Sequence, residues 1–382
     1  MKIGFVLDDG LDATDGVQQY VLTLGTWLLK QGHDVHYLVG QTVRDDIPNI
    51  HSLGKNLTVR FNGNRLSIPF SSSKKKIVQL LQQEQFDVLH VQMPYSPQLA
   101  GKVISAAPQT TAVVGTFHIL PYGRVQAAAT WALSKVVAPS LRRFDSIVTV
   151  STAAQGFAKK YMNITSSVVP NAVSLAKFAK GARKKKSAQT RQRIIFLGRL
   201  VPRKGCIELL QAVDQLVNVH KVTDFEVVIA GHGQQRAKIE EFIAEKKLGD
   251  YVSMSGWLTE ADKPHFLSNA DIAVFPSIAG ESFGIVLVEA IAAGAGVVLG
   301  GDNPGYRYVL EDEEALVSPK DTAVFAERLR ALLRDPKLRS RLQKAQQKRI
   351  EDFDVAVVGG QIEHIYQREI AKRAKKSDNG NK

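Results

Sequence analysis

Apolar residues in this chain fall into short runs, separated by longer stretches in which they recur every three or four positions. The runs "KIGFVL" (2–7), "DVHYLV" (34–39), "FDVLHV" (86–91), "TAVVGTF" (111–117) and "SIVTVS" (146–151) predict strands buried on both faces. Between them, the helical period over 16–32, 74–83 and 124–144 predicts helices, with Trp131 and the apolar positions of 125–138 assigned to the core. Strand and helix in strict alternation predict a parallel sheet covered by helices.

The same pattern restarts further along. "RIIFLGRL" (193–200), "FEVVIAGHG" (225–233), "YVSMSG" (251–256), "DIAVFPS" (271–277) and "GVVLGG" (296–301) read as strands, with helices at about 204–219, 234–247, 260–268, 283–293 and 320–350. The expected fold class is therefore α/β, with two Rossmann-like domains facing across a deep cleft where the carboxyl ends of their strands meet. The expected boundaries are 1–170 for the first domain and 171–354 for the second. A last helix at about 355–373 crosses back to the first domain, and 374–382 form a flexible basic tail.

The length of 382 residues agrees with two domains. The start "MKIGFVLDDG" has too short an apolar run for a leader or a spanning helix, and the single Cys206 forms no internal disulfide. Both features predict a cytoplasmic protein. Charge is uneven: Lys+Arg minus Asp+Glu is 16 − 10 over 1–170, 8 − 0 over 171–193, 20 − 25 over 194–366 and 6 − 2 over 367–382. The basic linker and tail either meet a polyanion, such as anionic lipid headgroups, or stay solvated. No aromatic-basic motif points to nucleic acid, which is not an expected partner.

Two segments of the second half carry candidate chemistry. In "GRLVPRKG", Gly198, Arg199 and Lys204 place a close-approach point and two cations at a strand-to-helix turn, where free amides and the helix dipole favour phosphate. "GESFGIVLVEAIAAG" (280–294) sets Glu281 in a loop and Glu289 inside the following helix. That separation gives the two acids different tasks, unlike a facing acid–base pair. Glu281 suits sugar hydroxyls, the amides of Phe283, Gly284 and Ile285 a diphosphate, and Glu289 a second polar group such as a ribose or a partner within its own helix. There is no Walker A, no GxGxxG after the first strand, and no Asp-x-Asp or His/Cys cluster at ligand spacing, so neither a cofactor nor a metal is expected.

The run Gly-Glu-Ser-Phe-Gly with a second Glu eight residues after the first resembles the E-x7-E element of family 4 GT-B glycosyltransferases, and "FLGR…PRKG" resembles their diphosphate turn. The resemblance spans nearly the whole chain. With Asp15-Gly16-Val17-Gln18, "FDVLH" (86–90), "TFH" (116–118) and "PNAV" (170–173), it is strongest to the phosphatidyl-myo-inositol mannosyltransferases of actinobacteria. It implies that Gly16 opens the first helix beside the donor phosphates and that His118 faces the transferred sugar. It further implies that Arg199 and Lys204 neutralise the leaving diphosphate, Glu281 holds sugar hydroxyls, Phe283, Gly284, Ile285 and Val286 line the diphosphate and ribose, and Glu289 binds the ribose.

The resemblance also implies retention of anomeric configuration, closure about 170–193 and 350–356, and a nucleotide-sugar donor, GDP-mannose in first place and a UDP sugar as the alternative. It implies a lipid-linked acceptor such as phosphatidylinositol and peripheral association with the inner membrane face. Lys74, Lys75 and Lys76, followed by Ile77, Val78, Leu80 and Leu81, are the membrane-facing candidates. Two departures bear on the acceptor. Asp15 replaces the first Gly of the family's pair, and "HILPYGR" replaces a Ser/Thr/Lys-rich segment, leaving Arg124 as the nearest cation for an acceptor phosphate. Two other classes stay open: a GT-B transferase with a soluble acceptor or a sugar-nucleotide epimerase, and a non-catalytic polyanion binder.

Overall fold

The computed structural model describes residues 1–12, 15–61, 64–70, 72–121, 123–181 and 191–380. Residues 182–190 of the basic linker, 381–382 of the tail and the side chain of Arg124 lie outside the described set. The chain divides into one unit of Met1–Ala172 with Val355–Lys382, and another of Val173–Asp354.

The strands of the first unit are β1 (Lys2–Leu7), β2 (Asp34–Val39), β3 (Ile50–Ser52), β4 (Lys55–Phe61), β5 (Asn64–Phe70), β6 (Val88–Val91), β7 (Ala112–Phe117), β8 (Ser146–Thr149) and β9 (Ser167–Val168). Seven form a parallel sheet in the order β3-β2-β1-β6-β7-β8-β9, and β4 pairs with β5 as an antiparallel ribbon. The order reverses between β1 and β6, which is the topological switch point where open α/β sheets bind ligands. The five predicted strands are present. The pattern missed β3 and β9, which are too short to show a period, and the ribbon, whose alternating residues match no strand buried on both faces.

Both sheet faces are covered. On one side Tyr20, Val21, Leu24 and Leu28 of the helix Gly16–Lys30 pack with Val358, Ile362, Ile365 and Tyr366 of the last helix, Val355–Gly380. Gly359 is pressed to the Trp27 ring, where an added Cβ would come within 2.5 Å. Tyr366 also places its hydroxyl 2.5 Å from Nδ1 of the fully buried His90. Burying a Val or Leu side chain contributes on the order of 2 kcal/mol, so this apolar contact holds the returning helix on the first unit.

On the other side Ile77 and Leu81 of the helix Lys74–Glu84 pack with Leu99, Val103 and Ile104. Part of the apolar flank of that helix is thus committed to the protein core, while Lys74, Lys75 and Lys76 are exposed. The helix Arg124–Leu141 brings a correction. Its buried face is Ala127, Thr130, Ser134 and Val137, at helical spacing, while Val125, Trp131 and Val136 are exposed, Trp131 by 54%. The periodic set that decides orientation here is small and partly polar, so assigning large apolar residues to the core misleads. No helix among the described residues is long and apolar enough to cross a membrane.

The second unit has β10 (Gln192–Leu197), β11 (Phe225–Ala230), β12 (Val252–Gly256), β13 (Ile272–Phe275), β14 (Val297–Gly301) and β15 (Leu316–Val317). Their order, β12-β11-β10-β13-β14-β15, is the doubly wound 3-2-1-4-5-6 arrangement, with its switch point between β10 and β13. The helix expected over 320–350 is two, Thr322–Arg334 and Pro336–Arg349. Asp335 breaks it by accepting the amides of Lys337 and Leu338 at 2.9 Å, and Pro336 fits the first helical position, where no amide bond is lost.

Candidate active site

At the switch point of the second unit, β10 runs into Gly198, Arg199 and a short turn, Pro202–Lys204, before the helix Cys206–Asp214. Beside it β13 runs into Ser277 and a loop that ends at the helix Ile285–Ala292. Contacts bind the two loops together: the Ile278 amide donates to the Arg203 carbonyl at 2.8 Å, and the Ser277 hydroxyl oxygen lies 3.1 Å from the same carbonyl oxygen. Gly205, at φ +73°, is pressed so close that a Cβ would lie 1.9 Å from the Pro276 carbonyl oxygen. Only glycine allows this approach.

The clamp carries Lys204 and Glu281 to one point. Oε1 of Glu281 accepts from Lys204 Nζ at 2.8 Å, Arg203 Nη1 at 2.7 Å and Ser277 Oγ at 2.6 Å. Burial opposes ionisation of Glu281, but the charges of Lys204 and Arg203 together with these hydrogen bonds prevail and hold its carboxyl at about 2. Burial lowers the Lys204 ammonium from its ordinary value, and the nearby cations Arg203 and Arg199 add to that while Glu281 opposes it. The cluster thus sets two cations on one carboxylate, with the charge of Arg199 also felt at Lys204, a setting that favours an incoming anion.

The frame around this cluster includes residues not singled out from sequence. Asn303 donates to the Ser277 and Gly301 carbonyls at 3.0 and 3.1 Å, and Gly284, at φ +108°, lies against the buried Tyr306 ring. Arg203, beside Lys204 in "PRKG", is one of them, since its role shows only in its contact with Glu281. Ser277, Asn303 and Tyr306 carry no motif of their own.

The other donor-side candidates are placed differently. Phe283 is buried and its ring packs on Tyr308 and Phe353, at 6.0 and 5.1 Å between centroids, so only its backbone is left for a ligand. Ile285 and Val286 open the helix, where the first amides have no intrahelical carbonyl to meet. Glu289 is buried inside that helix with different charge partners: Lys263 Nζ stands 3.7 Å from its Oε2 and 2.6 Å from Glu260. Burial raises the Glu289 carboxyl, with Lys263 and Lys177 opposing.

In the first unit the switch point gathers Asp8, Gln92 and His118. Asp8, just beyond β1, accepts from the Ser96 hydroxyl and, at 2.8 Å, from the Ala100 amide, and burial pushes its carboxyl up. His118 follows β7 directly. Its Nε2 donates to Gln92 Oε1 at 2.9 Å and its ring meets the edge of Tyr20 at 5.0 Å. Burial holds this imidazole at about 3, with an Asn171 hydrogen bond opposing, so it is neutral near pH 7. Gly16 is the first residue of its helix, and Gln18, within its first turn, donates to Asp9 at 3.0 Å. Arg124 opens the helix Arg124–Leu141, with its side chain outside the described set.

Comparison with known proteins agrees with this architecture. Residues 14–177 match the family described as Glycosyltransferase Family 4, and residues 178–349 match Glycosyl transferases group 1. A phosphatidyl-myo-inositol mannosyltransferase of Mycolicibacterium smegmatis is 30% identical over 372 residues, 96% of this chain and 94% of that protein. The chain belongs to glycosyltransferase family 4. Among solved structures, this family 4 chain superposes on a sucrose-phosphate synthase from Thermosynechococcus elongatus at a TM-score of 0.76, with 21% identity, covering 97% of this chain and 100% of that one. It superposes on Anabaena HepE in complex with UDP at 0.71, with 18% identity, covering 96% and 100%. These likenesses fix the fold as GT-B, and the family makes the protein a glycosyltransferase.

Proposed function

We propose that this glycosyltransferase moves mannose from GDP-mannose to a phosphatidylinositol-type lipid, with retention of anomeric configuration, at the cytoplasmic face of a membrane. The observation that carries the reading is the Arg203–Lys204–Glu281 cluster at the switch point of the second unit. There Arg199 and Lys204 receive the diphosphate and stabilise the charge that develops as it leaves, helped by the amides at the start of the helix Ile285–Ala292. Glu281 presents its second oxygen, Oε2, to sugar hydroxyls, while Oε1 fixes Lys204 in place. Glu289, paired with Lys263, takes the ribose. Neutral His118 serves as a hydrogen-bonding partner for the sugar, and the side chains at the diphosphate do the neutralising that a divalent ion does elsewhere.

The acceptor reading is supported by the name of the 30% identical mycolicibacterial relative and by the surface of the first unit. Exposed Val125, Trp131 and Val136 lie on one helix with Lys135, whose ammonium sits 5.4 Å from the Trp131 ring centre. An apolar and basic surface of this kind suits an anionic bilayer, with each cation near the surface contributing on the order of 1 kcal/mol. Lys74, Lys75 and Lys76 add exposed positive charge to the same unit. The test is a thermal-shift screen of GDP, UDP and ADP sugars. A GDP sugar giving the largest shift supports the donor assignment, and a shift with UDP sugars alone overturns it.

A further inference from the structure

A cluster far from this chemistry in the sequence joins the amino-terminal edge of the first sheet to the end of a helix. His36 lies on β2 and His51 on the edge strand β3, which is three residues long and hydrogen-bonds in the sheet only to β2 among the described residues. Their rings are stacked at 5.2 Å with 4° between planes, and His36 Nδ1 is 2.9 Å from His51 Nε2. Glu84, the last residue of the helix Lys74–Glu84, completes a set of three whose ligating atoms lie within 4.8 Å of one another.

We propose that His36, His51 and Glu84 form a binding site for a divalent transition-metal ion of the zinc class. Asp34 Oδ1 is 3.1 Å from His36 Nε2, so the carboxylate takes the proton on that nitrogen and leaves the Nδ1 lone pair directed at His51. A carboxylate behind a ligating imidazole is the usual orienting arrangement at zinc sites, where it fixes the tautomer and strengthens the ligand. Asp34 is itself held by the Asn49 amide at 3.3 Å and Lys2 at 3.5 Å, and the edge of the Phe86 ring packs on His36. Two imidazoles and one carboxylate are a donor set for zinc with a fourth position open to water.

With the Nδ1 lone pair of His36 facing it, His51 Nε2 donates its proton across the 2.9 Å contact in the metal-free site. With Zn–N bonds of about 2.0–2.1 Å, tetrahedral ligands stand roughly 3.3 Å apart, so the ion replaces that proton after a small separation of the rings and a shift of the His51 proton to Nδ1. Glu84, whose Oε2 now accepts from Lys2 at 3.1 Å and lies 3.9 Å from His36 Nε2, turns from both towards the ion at Nδ1. The ion would pin the short edge strand to the helix whose first turn carries Lys74, Lys75 and Lys76.

The full chain, treated with chelator and dialysed, is titrated with Zn2+ by calorimetry and with Co2+ by visible absorption. One ion per chain is expected, with the Co2+ spectrum of a four-coordinate nitrogen and oxygen site and a rise of several degrees in Tm at saturation. His51→Gln, on a half-buried edge position that leaves the fold intact by circular dichroism, should lose at least about 100-fold in affinity, and Asp34→Asn about 10-fold. Failure of the native chain to retain Zn2+, or undiminished 1:1 binding by His51→Gln, overturns the site.

Discussion

Lys204 Nζ and Glu281 Oε1, 77 residues apart in the chain, meet at 2.8 Å where β10 and β13 diverge. The contact joins the two loops proposed as the donor side. Breaking it therefore tests the site and its scaffold together. In Glu281→Gln, Lys204 and Arg203 lose their shared anion, and uncovering a buried pair of this kind costs about 3–5 kcal/mol. Transfer should fall by about 10²–10³-fold, the usual effect of losing one preorganised electrostatic group. Steady-state rates and melting curves on the same preparation check both effects, and a rate within threefold of the parent counts against the assignment.

Acid stability follows from the same carboxylate. The Glu281 carboxyl is lowered from an ordinary 4.5 to about 2, so the unfolded state binds more protons than the folded state between those values. Its contribution is therefore present above about pH 4.5 and is lost as pH falls towards 2. Glu289, raised by burial, has the opposite sign and favours the folded state when protonated. Urea melts between pH 5 and 2 should show a shallower decline for Glu281→Gln than for the parent.

His118 gives a separate pH prediction. Its imidazole is lowered by burial from 6.5 to about 3, so over that range the unfolded chain takes up protons that the folded first unit refuses, and stability falls with acidification. An NMR titration of the ring protons should show no protonation near pH 6.5. The rate profile should likewise lack a limb there that disappears in His118→Gln. A His118 inflection at pH 6–7 would show that the ring is far more solvated than the Gln92 and Tyr20 contacts imply.

Gly205→Ala probes the clamp between the loops. A Cβ there would stand 1.9 Å from the Pro276 carbonyl oxygen at a φ of +73°, so the loops must part or the backbone must move. The expected cost is about 2 kcal/mol or more from steric and backbone strain. Donor KM should rise as Lys204 moves from Glu281, and calorimetry together with donor titration reads both effects.

Much of this was legible from the residues. Two parallel sheets follow from apolar runs alternating with helical periods, and the turn at Gly198 and the loop at Glu281 follow from strand ends that carry glycine and charge. What was hidden depends on proximity without periodicity. Arg203 shares Glu281 with Lys204 only because Gly205 lets the turn lie on Pro276. Among the described residues, the ribbon of β4 and β5 pairs its strands only with each other. His36, His51 and Glu84 sit 15 and 33 positions apart by their numbers, a spacing no ligand motif uses, so only the fold brings them together.

Trp131 lies on the solvent face of the helix Arg124–Leu141. At 54% exposure, Trp131→Ala should change stability by about 0.5 kcal/mol or less, where a core tryptophan would cost about 3–5. The same substitution should weaken co-sedimentation with anionic vesicles if this face meets lipid. Unchanged vesicle binding in Trp131→Ala combined with Val125→Ser and Val136→Ser would remove the helix from the membrane side of the proposal.

Transfer of mannose to an inositol lipid is the proposed reaction. The full chain incubated with GDP-mannose and vesicles of phosphatidylinositol, with products read by mass spectrometry of the extracted lipid, tests it most directly. The expected result is phosphatidylinositol carrying one added hexose, formed with GDP release and lost in both Lys204→Ala and Glu281→Ala. An unmodified lipid, with sugar transferred instead from another nucleotide to a soluble acceptor, would contradict it.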